Sequence, residues 1–391
     1  WPEPLPGQVP EVKTAPLDGE FPYSKKVKPG LSSFANNPKQ AGQSLLPLLD
    51  YALQHVPPSE VNITSVVLFA TAGMRLLPET QQTAILDSCR QTLHSSGFYF
   101  EDSFARVISG ASEGIFGWIS VNYLSNTLDG HSQTVGALDL GGASTQITAQ
   151  LKATQIANVP KHSTSTFLYN VTLANYTYPL YSYSYLYYGA DQARYRKNKT
   201  VVEMNQYARY SPDGCLAKGF STGFLLKDQR YYLNGTSTGE VCSKEALIVL
   251  NKTVPCEYTH CSFNGVYQPD QLYGEFIAFS AYVYPIKLFQ LSPTVSLAQL
   301  ERTTNQFCAL DQTQLKEKFG DNPNFDYIDT YCFLSQYIVR LLHTGYGFSM
   351  QDKGKVEFID EIDHVEVSWT LGAQLFVADL LPWKNPPTEF N

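Results

Sequence analysis

Small and acidic residues with the potential for metal and phosphate chemistry follow a short apolar run near the middle of the chain. The sequence GALDLGGASTQIT, from Gly136 to Thr148, places one acid, Asp139, just before two glycines. Glycine lets the main chain approach a ligand closely, and successive amides in such a turn form a concavity for anions. A carboxylate beside a phosphate requires a divalent cation between them. These residues alone leave two interpretations open, a metal–phosphate site or a tight turn ending a core strand.

Two further turns of similar composition follow other apolar runs, at Thr71 to Arg75 and at Gly110 to Gly114. In open α/β sheets, ligands lie at the carboxyl ends of the strands, so we expect the three turns to meet. Glu113 lies at a predicted helix start, where the helix dipole favours its charged form. It is either a general base for an attacking water or an acid that stabilises the helix. Arg75 is either a phosphate ligand or a solvated arginine.

Composition and motifs exclude several classes of protein. The 391 residues suffice for about two domains, and 43% hydrophobic with 16% charged residues indicates a folded chain. A net charge of −8 without a basic cluster argues against a nucleic-acid partner. The sequence has no P-loop lysine motif, no GxGxxG after a strand, no HExxH and no GxSxG. No run approaches 18 apolar residues, so we expect no membrane anchor within this chain.

Cysteines and glycosylation sequons point to the secretory pathway. Six of the seven cysteines lie in the second half, and the first, Cys89, is either a buried thiol or the partner of a cysteine outside this chain. Asn-x-Ser/Thr sequons with clustered cysteines favour a secreted or lumenal glycoprotein with disulfides. No signal peptide is apparent at Trp1, as expected of a mature start or a trimmed ectodomain. The six sequons are at Asn62, Asn170, Asn175, Asn198, Asn234 and Asn251.

The hydrophobic pattern predicts alternating helices and strands, typical of an α/β protein. We expect a Pro-rich surface arm over residues 1–30, β-structure or long loops over the tyrosine-rich segment 167–188, and a loop-rich region at 215–261. Helices are predicted at 39–55, 78–95, 113–124, 192–207, 276–291, 331–343 and 369–381. Strands are predicted at 66–70, 107–108, 134–140, 145–151 and 356–359.

Several of these motifs, taken in order, resemble the nucleoside triphosphate diphosphohydrolases, the apyrase family. ATAGMRLL at Ala70 to Leu77 and ISGASEGIFGWISVNYL at Ile108 to Leu124 are similar to the family's second and third conserved regions. ALDLGGASTQIT and WTLGAQL are similar to the fourth and fifth. CSFNGVYQP and FIAFSAYVY match the cell-surface and secreted branch. The resemblance spans nearly the whole chain.

The resemblance implies an α/β fold of two ribonuclease-H-like lobes, as in actin and sugar kinases, with a nucleotide cleft between them. Residues 1–108 plus 372–391 would form the N-terminal lobe and 109–371 the C-terminal lobe. The implied activity is Ca²⁺- or Mg²⁺-dependent hydrolysis of nucleoside tri- and diphosphates, extracellular or lumenal. Two alternatives remain: a catalytically impaired glycoprotein of the same fold with a structural role, and a relative of sugar or acetate kinases.

The resemblance also implies roles for individual residues. Glu113 would activate water, Asp139 would hold the metal through its water shell, Trp369 would pack beside the metal, and Tyr284 would stack on the base. The residues implied to line the phosphates or orient water are Thr71, Ala72, Arg75, Gly141, Gly142, Ala143, Ser144 and Gln146. The implied disulfides are Cys215–Cys242, Cys256–Cys261 and Cys308–Cys332.

The family's first conserved region, an Asp-Ala-Gly-Ser turn, would be expected about a dozen residues before Trp1 and is not in this sequence. The resemblance implies that it supplies a second metal-side carboxylate, phosphate-binding amides and the first strands of the N-terminal lobe. Four explanations are open: a segment present only in the natural protein, a cleaved segment that stays bound, a strand donated by another chain or another copy of this one, and a protein that cannot catalyse.

Overall fold

The computed structural model describes residues 24–173, 175–323 and 325–379. Residues 1–23 of the predicted surface arm lie outside the described residues, as do residues 380–391 at the end of the predicted last helix and N-terminal lobe. No helix in the described ranges is long and apolar enough to span a membrane.

The chain alternates helices and strands, as the sequence predicts. The helices are α1 Lys39–Gln43, α2 Leu46–His55, α3 Ala72–Arg75, α4 Glu79–His94, α5 Gly110–Leu124, α6 Ala153–Ile156, α7 Thr164–Phe167, α8 Ala190–Met204, α9 Gly239–Val249, α10 Val283–Leu288, α11 Leu297–Cys308, α12 Gln312–Phe319, α13 Tyr331–Arg340 and α14 Trp369–Asp379. The strands are β1 Leu68–Ala70, β2 Ala105–Val107, β3 Gly136–Leu140, β4 Ser144–Gln150, β5 Leu168–Leu173, β6 Tyr176–Leu186, β7 Tyr210–Asp213, β8 Ser221–Leu226, β9 Gln229–Gly235, β10 Phe276–Ser280, β11 Val356–Phe358, β12 Glu361–Ile362 and β13 Val365–Glu366.

The first part of the described chain is built on a parallel pair, β1 and β2, with α3 and α4 in the connection between them. Its core collects apolar residues of α1, α2, α4 and both strands, including Ile85 and Ala105. Cys89 lies in this core as a buried free thiol, and burial raises its pKa to about 11. Of the two alternatives for Cys89, the structure shows the buried thiol.

A six-stranded mixed sheet organises the rest, in the order β11-β10-β3-β4-β6-β5. Strands β11, β10 and β3 run parallel, whereas β4, β6 and β5 are antiparallel. Helices α5 and α14 cover one face, and α13, α11 and α10 contribute to the core on the other. Because side chains alternate along a strand, Ala137 faces α5 while Leu138 and Leu140 face away. Asp139 therefore lies on the face that α5 covers.

Two sequence predictions are wrong. The segment 276–291 begins as strand β10 in the sheet interior and becomes helical only at α10. A strand buried on both faces is a continuous apolar run, which periodicity cannot distinguish from a buried helix. The region 215–261, predicted to be loop-rich, contains β8, β9 and α9. In addition, the predicted helix 39–55 is divided into α1 and α2, and Pro47 lies in the first turn of the second helix.

The three disulfides have the pairing that the family resemblance implies. Cys215–Cys242 ties the segment after β7 to α9, and Cys308–Cys332 joins α11 to α13. Cys256–Cys261 closes a short loop. Strands β7, β9 and β8 form a separate three-stranded sheet near the first of these bridges.

Candidate active site

Three strand ends meet at one cluster of polar side chains, as the sequence predicts. Strand β1 leads to Thr71 at the start of α3, which carries Arg75. Strand β2 leads to Ser109, which caps α5 by accepting a hydrogen bond of 3.0 Å from the amide of Ser112. Strand β3 leads to the glycine turn before Ser144. The Arg75 guanidinium joins the three, since Nη2 donates to Glu113 Oε2 at 2.7 Å and to Ser144 Oγ at 3.3 Å.

Glycines let α5 lie directly against strands β4 and β6. A Cβ on Gly114 would lie 2.7 Å from Thr148 Oγ1, and one on Gly110 would lie 2.4 Å from the Cβ of Ser184. Both distances are too short for a real side chain, so only glycine permits this approach. The close packing buries Glu113, which is 6% exposed, and places it over the sheet.

Burial and the helix dipole act in opposite directions on the charge of Glu113. We expected the helix dipole to keep this side chain charged, but burial raises the pKa of Glu113 above its usual value. The charge and hydrogen bond of Arg75, with a hydrogen bond from Thr71, act in the opposite direction. Arg75 is itself not solvated, because its side chain is only 15% exposed and also donates to the Ile108 carbonyl at 3.0 Å. A buried carboxyl whose pKa is tuned by one cation is suited to general-base chemistry.

Gln146 links Glu113 to the sheet. Its Nε2 donates to Glu113 Oε2 at 3.1 Å, to Ser144 Oγ at 2.6 Å and to Ser184 Oγ at 2.9 Å. Ser184 was missed by the sequence reasoning. The pattern YSYSY in β6 could have identified it, because small hydroxyl residues that alternate with tyrosines share one face of a strand.

Asp139 lies opposite Gln146 in the β3–β4 register and is 4% exposed. Burial, followed by the nearby charge of Glu113, raises the pKa of Asp139 to about 7, while a hydrogen bond with Ser280 opposes the rise. Ser280 was also missed; it ends β10 with φ of 59°, a conformation unusual for a non-glycine residue. Among the described residues, none hydrogen-bonds to Asp139 Oδ1. A buried carboxylate oxygen without a partner fits a hard divalent cation, directly or through water.

The turn between β3 and β4 presents main-chain amides. The carbonyls of Gly141 and Gly142 accept hydrogen bonds from Ala190 and Asp191 at the start of α8, at 2.8 and 2.9 Å. These bonds hold the turn from behind. Within the described ranges, no protein group accepts from the amides of Gly142 and Ala143. Such amides suit an anionic ligand.

The remaining predicted residues lie outside this hydrogen-bonded cluster. Ala72 is buried in α3. Tyr284 is 52% exposed in α10. Trp369 begins α14 and packs against the core to which α5 contributes. The proposed roles of these three residues stay predictions.

Known proteins match nearly the whole chain. The model of the GDA1/CD39 (nucleoside phosphatase) family aligns with residues 8–388. This chain belongs to that family. Probable apyrase 5 of Arabidopsis thaliana is 32% identical to this family member over 95% of this chain and 78% of its own length. Ectonucleoside triphosphate diphosphohydrolase 2 of Mus musculus is 34% identical over 91% of this chain and 75% of its own.

A solved structure supports the fold of this GDA1/CD39 family member. The crystal structure of nucleoside triphosphate hydrolases from Neospora caninum superposes with a TM-score of 0.65 at 15% identity, covering 88% of this chain and 78% of that one. The predicted family and fold class are therefore confirmed. The boundaries of the two lobes stay a prediction.

Proposed function

We propose that this protein hydrolyses nucleoside tri- and diphosphates to the monophosphate and inorganic phosphate. The observation that carries the proposal is the pairing of two buried carboxyls on one face of the sheet. Glu113 is held by Arg75 and Gln146, while Asp139 has an oxygen that no described residue hydrogen-bonds. The relatives named apyrase and ectonucleoside triphosphate diphosphohydrolase support the same chemistry.

Asp139 is the residue that would hold Ca²⁺ or Mg²⁺. When bound, the cation would neutralise charge on the polyphosphate. The pKa of about 7 for Asp139 without a metal means that cation and proton compete for this carboxyl. Trp369 would pack beside the metal.

Glu113 would accept a proton from the water that attacks the terminal phosphoryl group. Oε2 of Glu113 receives hydrogen bonds from Arg75 and Gln146, which fix the plane of the carboxylate. Ser144 and Gln146 share a hydrogen bond of 2.6 Å and would orient the water between Glu113 and the phosphate. Holding the base and the water in place lowers the entropic cost of the reaction.

Substrate would lie along the β3–β4 turn. The amides of Gly142 and Ala143 would donate to phosphate oxygens, with Gly141 shaping the turn and Thr71 and Ala72 lining the other side. We propose that the cleft runs between the lobes 1–108 plus 372–391 and 109–371. Exposed Tyr284 would stack on the base, an interaction that tolerates any base.

The setting would be extracellular or lumenal. Three disulfides favour an oxidising compartment. Relatives that are 31–34% identical include an ectonucleoside triphosphate diphosphohydrolase and the Golgi apyrase of Saccharomyces cerevisiae.

Phosphate release from ATP and ADP, with Ca²⁺, Mg²⁺ or EDTA, tests the proposal on the natural full-length product. We expect release only with a divalent cation, and a loss of about 10²- to 10⁴-fold in Glu113→Gln. Glu240→Gln, which removes an exposed acid at the start of α9, is the control and should retain activity. No release by the folded wild type would overturn the function. Full activity of Glu113→Gln would overturn only the role of this residue.

A further inference from the structure

The three-stranded sheet β7-β9-β8 has one buried and one exposed face. Its buried face packs Leu233 and Tyr231 of β9 with Phe224 and Leu226 of β8, against Val201 of α8. Because side chains alternate, the residues between them on β9 face solvent. The exposed face of this sheet is therefore formed by a different group of residues.

That exposed face carries a pair of stacked tyrosines. Tyr210 of β7 and Tyr232 of β9 are register partners, and their ring centroids are 5.3 Å apart with an interplanar angle of 21°. Tyr210 is 57% exposed. On the other side of Tyr232, the register partner is Gly223, and the exposed side chain of Arg230 lies beside that glycine, with Nη1 3.5 Å from the position a Cβ would take. Arg209 lies over both rings, with its guanidinium carbon 5.8 and 5.9 Å from the two centroids. The result is a stacked and partly exposed aromatic pair, which we call the tyrosine platform (Tyr210 and Tyr232).

A glycosylation sequon lies on the same face as the tyrosine platform. Asn234, of the sequon Asn234 to Thr236, comes two residues after Tyr232 on the same strand, a separation of about 7 Å. Asn234 is exposed, and its Oδ1 accepts a hydrogen bond of 2.8 Å from Ser221 Oγ. Within the described ranges, nothing hydrogen-bonds to its Nδ2, the atom to which an N-linked sugar attaches. The side chain is thus oriented, with the reactive atom left free beside the platform.

We propose that Asn234 carries an N-linked glycan whose first N-acetylglucosamine packs on the tyrosine platform. The pyranose ring has an apolar face of C–H groups, which matches the negative face of an aromatic ring. Tyr210 supports Tyr232 from the other strand, so the two rings are already ordered, and the exposed Arg230 side chain would move aside to admit the sugar. The contact removes exposed aromatic surface from water and stabilises the outer face of this sheet.

The other sequons provide internal comparisons. Asn62 and Asn175 are also exposed, but the residues two positions before them are Glu60 and Leu173, neither aromatic. Glycans at these two positions would report entry into the secretory pathway independently of the tyrosine platform. This inference rests on the extracellular or lumenal setting proposed above, and not on the catalytic chemistry.

The first experiment is glycopeptide mass spectrometry of the full chain secreted from a eukaryotic host. We expect Asn234 to be occupied. An unmodified Asn234 with glycans at Asn62 or Asn175 would overturn this inference and leave the secretory setting standing. No glycan at any sequon would overturn both. Phosphate release measures the catalytic function separately.

The second experiment measures coupling between sugar and ring by melting temperature. Introduced into the secreted wild type, Asn234→Gln should lower the Tm by about 2 °C. Introduced into Tyr232→Thr, a variant that lacks the ring but keeps a residue favourable to strands, it should have little effect on the Tm. In the Tyr232→Phe background, Asn234→Gln should lower the Tm as much as in the wild type. Leu225→Ala, at an exposed position of β8, is the matched control background and should show the same loss of Tm. Equal effects of Asn234→Gln in wild type and Tyr232→Thr would overturn the packing of sugar on ring.

Discussion

Replacing Arg75 by methionine should shift the pH range in which the enzyme works. The change keeps the length of the side chain but removes the guanidinium that lies 2.7 Å from Glu113 Oε2. The Glu113 side chain is 8% exposed, so water cannot replace the lost charge. A hydrogen bond between charged groups contributes about 1.5–3 kcal/mol, which is about a 10- to 150-fold change in the ionisation of the carboxyl. The pKa of Glu113 therefore rises further, and a smaller fraction is available as the base.

The assay is phosphate release from ATP with saturating Ca²⁺, measured across pH for wild type, Arg75→Met and Arg75→Lys. We expect kcat of Arg75→Met to fall by about 10- to 150-fold at low pH and to recover as the pH is raised, with KM little changed. Arg75→Lys should lie between the two, because lysine keeps the charge but not the planar fork. Arg230→Met, which removes an exposed arginine from β9, is the control.

A loss of equal size at every pH would refute this reasoning, since it would show that Arg75 does not act through the ionisation of Glu113. A large rise in KM with an unchanged pH profile would instead place Arg75 on the substrate phosphate. Near-UV circular dichroism of each variant at each pH checks that the fold is retained.

Three further predictions follow from other parts of the structure. Gly114→Ala would place a Cβ 2.7 Å from Thr148 Oγ1. We therefore expect urea unfolding to show a stability lower by about 1–3 kcal/mol, and phosphate release to fall tenfold or more. Wild-type stability and activity would contradict the close packing of α5. Burial, and to a lesser extent the charge of Asp213, raises the pKa of Glu245 from 4.5 to about 7. The folded protein therefore binds this proton more tightly than the unfolded chain, and its stability should fall by about 3 kcal/mol as the pH rises from about 4.5 to about 7. Glu245→Gln should remove that part of the pH dependence of Tm, and an unchanged profile would refute it. Adding Ca²⁺ to the wild type in EDTA should raise its Tm, by a stabilisation of about 2.7 kcal/mol when the free Ca²⁺ is a hundredfold above Kd. Asp139→Asn should abolish this rise. A rise in Asp139→Asn equal to that of the wild type would place the cation elsewhere.

Much of the candidate site could be predicted from the sequence because its pieces are local. Glycine and hydroxyl residues after apolar runs mark strand ends, and this held at Thr71, Ser109 and Gly141. The family was predicted from motifs in order along the chain, and the resemblance to that family in turn implied the disulfide pairs. The prediction failed at β10, where burial on both faces removed the alternation that identifies a strand.

The sequence by itself determined which residue types stand at each strand end and to which family the chain belongs, because both depend on local order along the chain. Only the tertiary structure decided that Arg75 reaches Glu113 and that Ser184 holds Gln146. It also decided that one oxygen of Asp139 has no hydrogen-bond partner in the described part of the chain. These contacts join residues far apart in sequence, and their strengths depend on burial. The pKa of each carboxyl, and hence its chemistry, is a property of the packed sheet and helix and not of the motif.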